Sequence, residues 1–171
     1  MSLSYDRIAE RYDELYGEEQ RAKYRVTLRY VFTKGATLLD AGCGTGLLLE
    51  HVRDVEYYVG IDVSKNMLRK AVKRAKAVRV LCDFVMGSVE LMPFRDLCFN
   101  ILLAFTVVHE APLLVREAKR VVKQGGLISI TLLKKSEKLK NVLKKGIFSG
   151  ARNKVIINDQ KIRDIIYIAM R

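Results

Sequence analysis

The sequence predicts an α/β protein in which a doubly wound, mostly parallel sheet has helices on both faces and a C-terminal antiparallel strand pair. Two observations predict this class. Segments of strand character and of helix character alternate along the chain, a pattern typical of a parallel sheet covered by helices. Residues 100–107 are mostly apolar, as expected of a central strand buried on both faces. The length of 171 residues suits one domain, so we assign residues 1–171 to a single domain.

Composition excludes several other classes of protein. Half of the residues are apolar and 29% are charged, which argues against a disordered or fibrous chain. The longest near-apolar run, residues 101–108, is far shorter than the ~20 residues that a membrane span needs. Three cysteines without a C-x-x-C pair argue against a disulfide framework, and together with two histidines they form no metal-binding pattern. We therefore expect a cytoplasmic protein with no membrane span and no metal site.

The first half of the chain contains three predicted strands. Apolar residues at helical spacing within residues 4–30 predict one or two helices. Ser64 is placed to cap the start of a helix whose apolar residues recur every three or four positions. The predicted order is strand 36–40, helix 47–53, strand 57–62, helix 64–76 and strand 80–86.

The second half predicts four further strands. Residues 87–97 contain a proline and predict a loop. The pair Gly125-Gly126 predicts the end of the helix that precedes it. The predicted order is strand 100–107, helix 113–123, strand 127–133, helix 136–145 and two short strands, 154–157 and 165–170, close enough in sequence to pair antiparallel.

The strongest local signal is the segment 38–46, which reads Leu-Leu-Asp-Ala-Gly-Cys-Gly-Thr-Gly. A strand enters three glycines there, and glycine permits the positive φ of a tight turn and close approach of a ligand to the backbone. A helix that begins after such a turn presents free N–H groups suited to a carboxylate or phosphate. Asp62 ends the next strand, 20 residues after Gly42. In doubly wound folds a carboxylate at that position binds the ribose hydroxyls of an adenosine.

The spacing of the glycines favours S-adenosylmethionine over a dinucleotide. A dinucleotide site would read G-x-G-x-x-G, but position 47 is Leu and the third glycine, Gly46, comes one residue early. Asp40 directly before the turn would repel a pyrophosphate and attract an ammonium group. A ligand with an adenosine, an amino group and a carboxylate fits these residues. The alternative is a glycine-rich turn without a ligand.

These segments together resemble the class I S-adenosylmethionine-dependent methyltransferases. Residues 38–46 resemble the first motif of that family, residues 60–68 the second, residues 87–100 the third, and residues 116–126 the helix before the fifth strand. Residues 5–13 are similar to the ubiquinone/menaquinone-type (methyltransferase type 11) subgroup. The resemblance implies a Rossmann-like sheet. Within the single domain we predict a helical lid (1–30), a cofactor-binding core (36–133) and a basic helix with terminal strands (134–171), and the resemblance spans residues 5–133.

The resemblance also implies a role for twelve residues. Asp40 would orient the methionine ammonium, directly or through water, and Asp62 would bind the ribose hydroxyls. Phe105 would close the pocket, and Tyr12 would cover the cofactor from an N-terminal helix. The methionine and ribose would be lined by backbone atoms of Gly42, Cys43, Gly44 and Gly46, and the adenine by Val63, Met67, Ser88 and Val89.

Three positions depart from the family's usual residues. The family usually has Asp where this chain has Ser88, and that Asp accepts a hydrogen bond from the adenine amino group. A neutral acceptor contributes roughly 1 kcal/mol where a charged one contributes about 1.5–3. Asn100 and Gln124 replace a usual Asp and Pro, which concerns strand and turn geometry more than chemistry.

Methyl transfer needs mainly an acceptor nucleophile aligned with the sulfonium methyl group. A general base helps when that nucleophile starts protonated. His109 and Glu110, just beyond the fourth predicted strand, are the candidates. The alternative for His109 is a loop histidine that packs or caps the next helix.

Predictions about the methyl acceptor come from the short loops of the chain and from the distribution of its charge. The loops are short, so a small-molecule acceptor held by the N-terminal helices, or a site completed by a homodimer or partner, is expected. Residues 134–171 hold eleven of the 31 Lys and Arg residues but only three of the 19 Asp and Glu residues. That charge leaves RNA open as an alternative acceptor. A non-catalytic module that binds S-adenosylmethionine is the third hypothesis.

Overall fold

Seven strands form one sheet in the computed structural model, which describes residue 6 and residues 8–109 and 111–171. The spatial order is β3-β2-β1-β4-β5-β7-β6. Strands β1 to β5 are parallel, and β7 pairs antiparallel with both β5 and β6. This confirms the predicted fold class. The strands are β1 Thr37–Ala41, β2 Tyr57–Asp62, β3 Cys82–Met86, β4 Phe99–Ala104, β5 Val122–Leu133, β6 Lys154–Ile157 and β7 Asp164–Met170.

From residue 9 onward, the described part of the chain contains four α-helices and two short 3₁₀ helices beside the sheet. The α-helices are α1 Tyr12–Thr27, α2 Lys65–Ala75, α3 Leu114–Val121 and α4 Glu137–Phe148. The 3₁₀ helices are Ala9–Arg11 and Leu47–Glu50, so the helix predicted over 47–53 is a single tight turn. Ser64 caps α2 as predicted, because its hydroxyl accepts the Met67 N–H at 3.2 Å.

Alternate side chains of the central strands point to opposite faces, so each face carries its own apolar core. Leu39 and Leu102 pack on one face with apolar residues of α3 and α4. Leu38 and Leu103 pack on the other face with Tyr24 of α1. The strand order reverses between β1 and β4. In open α/β sheets ligands bind beyond the carboxyl ends of the strands at such a point.

The predicted end of the helix before β5 is wrong. Helix α3 ends at Val121, and β5 begins at Val122 and continues through Gly125 and Gly126. The register with β4 shifts there, between Phe99 and Ile101. A Cβ on Gly126 would lie 2.8 Å from the carbonyl oxygen of Asn100. The glycine pair therefore allows an irregular, closely packed stretch of strand rather than ending a helix.

Within the ranges that the structure describes, no helix is both long enough and apolar enough to cross a membrane.

Candidate functional site

A cavity of about 740 Å³ lies at the carboxyl ends of the parallel strands. Its size is within the range of small-molecule sites. One side is formed by the N-terminal helix α1, through Tyr12, Tyr16, Glu19, Gln20 and Lys23. The other sides come from the segments that follow β1 to β4, through Gly42, Gly44, Asp62, Val63, Met67, residues 87–90 and residues 105–107.

The glycine turn after β1 brings backbone to the cavity. Gly42 and Gly44 have φ of 79° and 52°. A Cβ on Gly42 would lie 2.4 Å from a methyl carbon of Val107, whereas a Cβ on Gly44 would meet no atom within 4 Å. Gly42 is therefore required by packing against the neighbouring segment. Gly44 leaves its backbone open to the cavity.

Asp62 joins this turn to the start of α2. Its carboxylate accepts the Gly44 N–H at 2.9 Å and the Ser64 N–H at 2.8 Å. Burial raises the pKa of this carboxyl, and the hydrogen bonds from these backbone groups oppose the rise. A carboxylate has about four lone-pair positions, so it can accept further bonds from hydroxyl groups in the cavity.

Asp40 lies deeper than the cavity wall. It is 3% exposed, and one oxygen accepts the Tyr58 hydroxyl at 2.5 Å. Burial raises the pKa of Asp40 to about 7, and the negative charge of Asp62 adds to the rise. Asp40 and Cys43 line a side pocket of about 20 Å³ that shares Gly42, Gly44 and other residues with the main cavity. Such a space holds about one water molecule.

The residues predicted to contact adenine line the cavity together. Met67 is buried, whereas Val63 is 49% exposed. Ser88 and Val89 follow β3, and the Ser88 hydroxyl accepts the Glu90 N–H at 3.1 Å. That bond uses one acceptor position and leaves the hydroxyl proton for another group.

Besides Asp40, three of the predicted residues that the structure describes do not line the main cavity. Gly46 packs against α2, where a Cβ would lie 2.9 Å from that of Ala71. Cys43 is buried and lines the side pocket instead of the main cavity. The ring of His109 accepts the Leu133 N–H at 3.3 Å and lies 3.3 Å from the Ser136 hydroxyl, so it packs against the end of β5, and the start of the next helix, α3, has no side-chain cap. Glu110 lies outside the described residues.

The structure adds a set of charged residues that the sequence did not suggest. Lys23 and Glu19 of α1 line the cavity beside Arg163. Lys23 and Asp164 are almost completely buried, at 1% and 0% exposure. Lys23 and Asp164 lie at opposite ends of the chain, so no local spacing connects them. The sequence shows them only as two charged residues.

Within the described part of the chain, no group of three His, Cys, Asp or Glu side chains is placed to hold a metal ion.

A family model described as "Methyltransferase domain" (type 11) matches residues 39–130, more than half of the chain. The chain belongs to this methyltransferase family. The match begins within β1 and contains β2 to β4 with the segments after β1 to β4 that line the cavity, whereas helix α1 lies outside it. It confirms the predicted family.

Curated relatives share the same region. The chain is 31% identical to a malonyl-[acyl-carrier protein] O-methyltransferase of Herminiimonas arsenicoxydans over 139 residues, 78% of this chain and 51% of that protein. It is 29% identical to a ubiquinone/menaquinone biosynthesis C-methyltransferase of Syntrophotalea carbinolica, over 74% of this chain and 58% of the relative. The chain thus spans about half the length of the curated relatives it matches.

Solved structures show the same fold at lower identity. One is a chain from a Haloferax volcanii complex of the Trm112 methyltransferase activator with a methyltransferase, with a TM-score of 0.78, 14% identity, and 97% and 96% of the two chains covered. Another is an S-adenosylmethionine-dependent methyltransferase from Aquifex aeolicus, with a TM-score of 0.70, 19% identity, and 85% and 87% covered.

Proposed function

We propose that the protein transfers the methyl group of S-adenosylmethionine to a small-molecule acceptor. The observation that carries the proposal is the pairing of Asp62 with the open Gly44 backbone at the carboxyl ends of β1 and β2. A nucleoside lying in this cavity would meet a carboxylate for its ribose. A charged amino-acid group would meet exposed backbone and, through the side pocket, Asp40.

The described residues suit each part of the cofactor. Asp62 would accept the ribose hydroxyls, Val63 and Met67 would contact the adenine ring, and Ser88 and Val89 would face its edge. Tyr12 of α1 would cover the methionine part from the opposite side. Asp40 would act on the ammonium through the small adjoining pocket rather than by lining the main cavity.

When bound, S-adenosylmethionine supplies an electrophilic methyl group, so the chain's own residues need to bind, align and exclude water. Apolar side chains of Phe105, Val107, Ala111 and Leu133 line the cavity and would exclude water from the acceptor. His109 is not among the residues that line it, so we assign it no proton transfer.

Two observations support a small-molecule acceptor. Helix α1 encloses one side of the cavity, and one relative is named for the biosynthesis of ubiquinone and menaquinone, which are small molecules. RNA remains the second candidate, because Arg163 lines the cavity and the exposed Lys144 and Lys145 lie on the basic C-terminal helix. Binding of an RNA acceptor and binding of a small-molecule acceptor differ in how strongly they depend on salt. An RNA acceptor would lose affinity steeply as salt increases, and a flat response would exclude it.

Two measurements test the proposal. Calorimetry with S-adenosylmethionine and with S-adenosylhomocysteine should give saturable heats, and the Asp62→Ala variant should bind about ten-fold more weakly, or more weakly still. Incubation with methyl-labelled cofactor and panels of small molecules, and separately with RNA, should then label one class of acceptor. No heat and no thermal shift with either compound would overturn the proposal. Cofactor binding without transfer to any acceptor would favour the non-catalytic module.

A further inference from the structure

Lys23 is a buried ammonium with all of its donors engaged. Its Nζ lies 2.7 Å from the Thr106 hydroxyl, 3.0 Å from a Glu19 carboxylate oxygen and 3.2 Å from Oδ2 of Asp164. An ammonium has three N–H donors, and each has an acceptor here. Lysine is seldom fully buried unless it is paired, so this arrangement is a specific feature of the fold.

Asp164, at the start of β7, connects the same ammonium to two threonines. Its Oδ2 accepts the Thr106 hydroxyl at 3.0 Å and the Thr131 hydroxyl at 2.7 Å. The Thr131 oxygen in turn accepts the Thr106 N–H at 2.8 Å. Thr106 is therefore held through its backbone N–H and through both the donor and the acceptor functions of its hydroxyl.

Thr106 has a backbone conformation that needs such support. Its φ is 61°, in the left-handed region that a β-branched residue rarely adopts. Residues in sparsely populated conformations persist when their surroundings hold them, and they cluster at ligand sites. Thr106 and both of its neighbours, Phe105 and Val107, line the cavity.

Helix α1 has an anchor point near each end, with the ion pair of Arg21 and Glu50 between them. Near its start, Asp13 accepts the Thr45 hydroxyl at 2.6 Å and pairs with Arg74 at 2.5 Å. Further along, Lys23 makes the contacts described above, and Tyr24 packs edge-on against Phe105 with ring centroids 4.7 Å apart. Only the second of these anchor points touches the segment that follows β4.

We infer that Lys23 and Asp164 are positioning residues of the cofactor site: the pair clamps α1 onto the turn after β4 and holds Thr106 in its left-handed conformation. Phe105 and Val107 thereby keep their places on the cavity wall, and α1 stays over the bound ligand. The inference rests on the proposed function insofar as the ligand is S-adenosylmethionine. The clamp itself is a property of the described contacts.

The test compares four variants with the wild type: Lys23→Met, Lys23→Arg, Asp164→Asn and the Lys23→Met/Asp164→Asn double variant. Affinity for S-adenosylhomocysteine is measured by calorimetry at a temperature well below each variant's melting point. We expect Lys23→Met and Asp164→Asn each to raise the Kd about ten-fold or more. The double variant should bind no more weakly than Lys23→Met, because both changes break one clamp. Lys23→Arg should restore part of the affinity.

Arg25→Met is the matched control, because Arg25 lies on the exposed side of the same helix. It should leave the Kd within about two-fold of the wild type. If Lys23→Met lowers the melting temperature but leaves the Kd unchanged, the pair is only structural and the inference fails. If Lys23→Met does not fold, the Kd of the Thr131→Val variant is measured instead, because this change removes the acceptor of the Thr106 N–H without leaving Lys23 unpaired. A raised Kd would support the inference, and an unchanged Kd would overturn it.

Amide hydrogen exchange separates this inference from the proposed function. In the ligand-free protein, Asp164→Asn should speed exchange at Thr106 and Val107 while Arg25→Met does not. That result supports the clamp even if the wild type binds no S-adenosylhomocysteine, in which case the proposed function fails alone. Unchanged exchange at these two amides would overturn the clamp, whatever the ligand.

Discussion

The hydroxyl of Tyr58 donates a hydrogen bond of 2.5 Å to Asp40, between neighbouring strands of the sheet. Burial raises the pKa of Asp40 to about 7, although this bond lowers it. Asp40 therefore changes charge across the neutral range, beside the turn that is proposed to hold the methionine part of the cofactor. Two pH-dependent properties of the protein follow from this one carboxyl.

Cofactor affinity should increase between pH 6 and pH 8. With a pKa of about 7, Asp40 goes from roughly one-tenth to roughly nine-tenths ionised over that range. An ionised Asp40 attracts the ammonium of S-adenosylmethionine, so we expect up to about a ten-fold gain in affinity. Calorimetry at pH 6, 7 and 8 should show the gain in the wild type and no slope in Asp40→Asn. An equal slope in both proteins would remove Asp40 from ammonium binding.

The same carboxyl should make stability fall as pH rises. A folded-state pKa above the ordinary value of 3.8 means that the folded protein favours the neutral form. Its contribution to the free energy of unfolding is complete below pH 3.8 and is lost as pH rises to about 7. A shift of this size corresponds to at most about 4 kcal/mol.

Urea unfolding from pH 4 to pH 8 checks this. In Asp40→Asn, the fall in the free energy of unfolding that ionisation of Asp40 causes should be absent. This variant should therefore be more stable than the wild type at pH 8. Tyr58→Phe removes the bond that lowers the pKa, so its decline should extend to higher pH. A wild-type profile that Asp40→Asn leaves unchanged between pH 4 and pH 7 would contradict the assignment.

The parts of the site that lie close together in sequence could be predicted from it. Gly42, Gly44 and Asp62 belong to consecutive strand ends, and turn chemistry fixes what those residues do. Gly125-Gly126 could not be read correctly, because a helix end and an irregular strand both favour glycine, and only the pairing with β4 distinguishes them. Lys23 and Asp164 were not predicted, because tertiary packing alone brings them together.

Asp62→Ala should weaken cofactor binding by about ten-fold or more. The change removes the proposed ribose acceptor and also the acceptor of the Gly44 and Ser64 N–H groups, and hydrogen bonds to a charged group contribute about 1.5–3 kcal/mol. Asp83→Ala is the matched control, an exposed carboxylate on the neighbouring strand β3. Calorimetry with S-adenosylhomocysteine should show the loss in the first variant and not in the second. Equal affinities would contradict the ribose role of Asp62.

Two alanine substitutions in the glycine turn should have different consequences. Gly44→Ala strains a backbone with φ of 52° but meets no neighbouring atom, so we expect it to cost about 1–2 kcal/mol of stability. Its methyl group would enter the cavity, so we expect the loss in the free energy of cofactor binding to exceed the loss in the free energy of unfolding. Gly42→Ala adds a clash with Val107 to a similar strain, for a total of about 2–5 kcal/mol.

Val107→Ala distinguishes clash from strain, because it removes the methyl carbon that a Cβ at position 42 would strike. The Gly42→Ala/Val107→Ala double variant should therefore regain stability relative to Gly42→Ala, although Val107→Ala alone loses some. Combining Val107→Ala with Gly44→Ala should give no such recovery, since nothing lies within 4 Å of the added methyl group there. Melting temperatures of the five variants measure both effects. Additive losses in the Gly42 pair would mean that backbone conformation alone, and not contact with the segment after β4, requires glycine at that position.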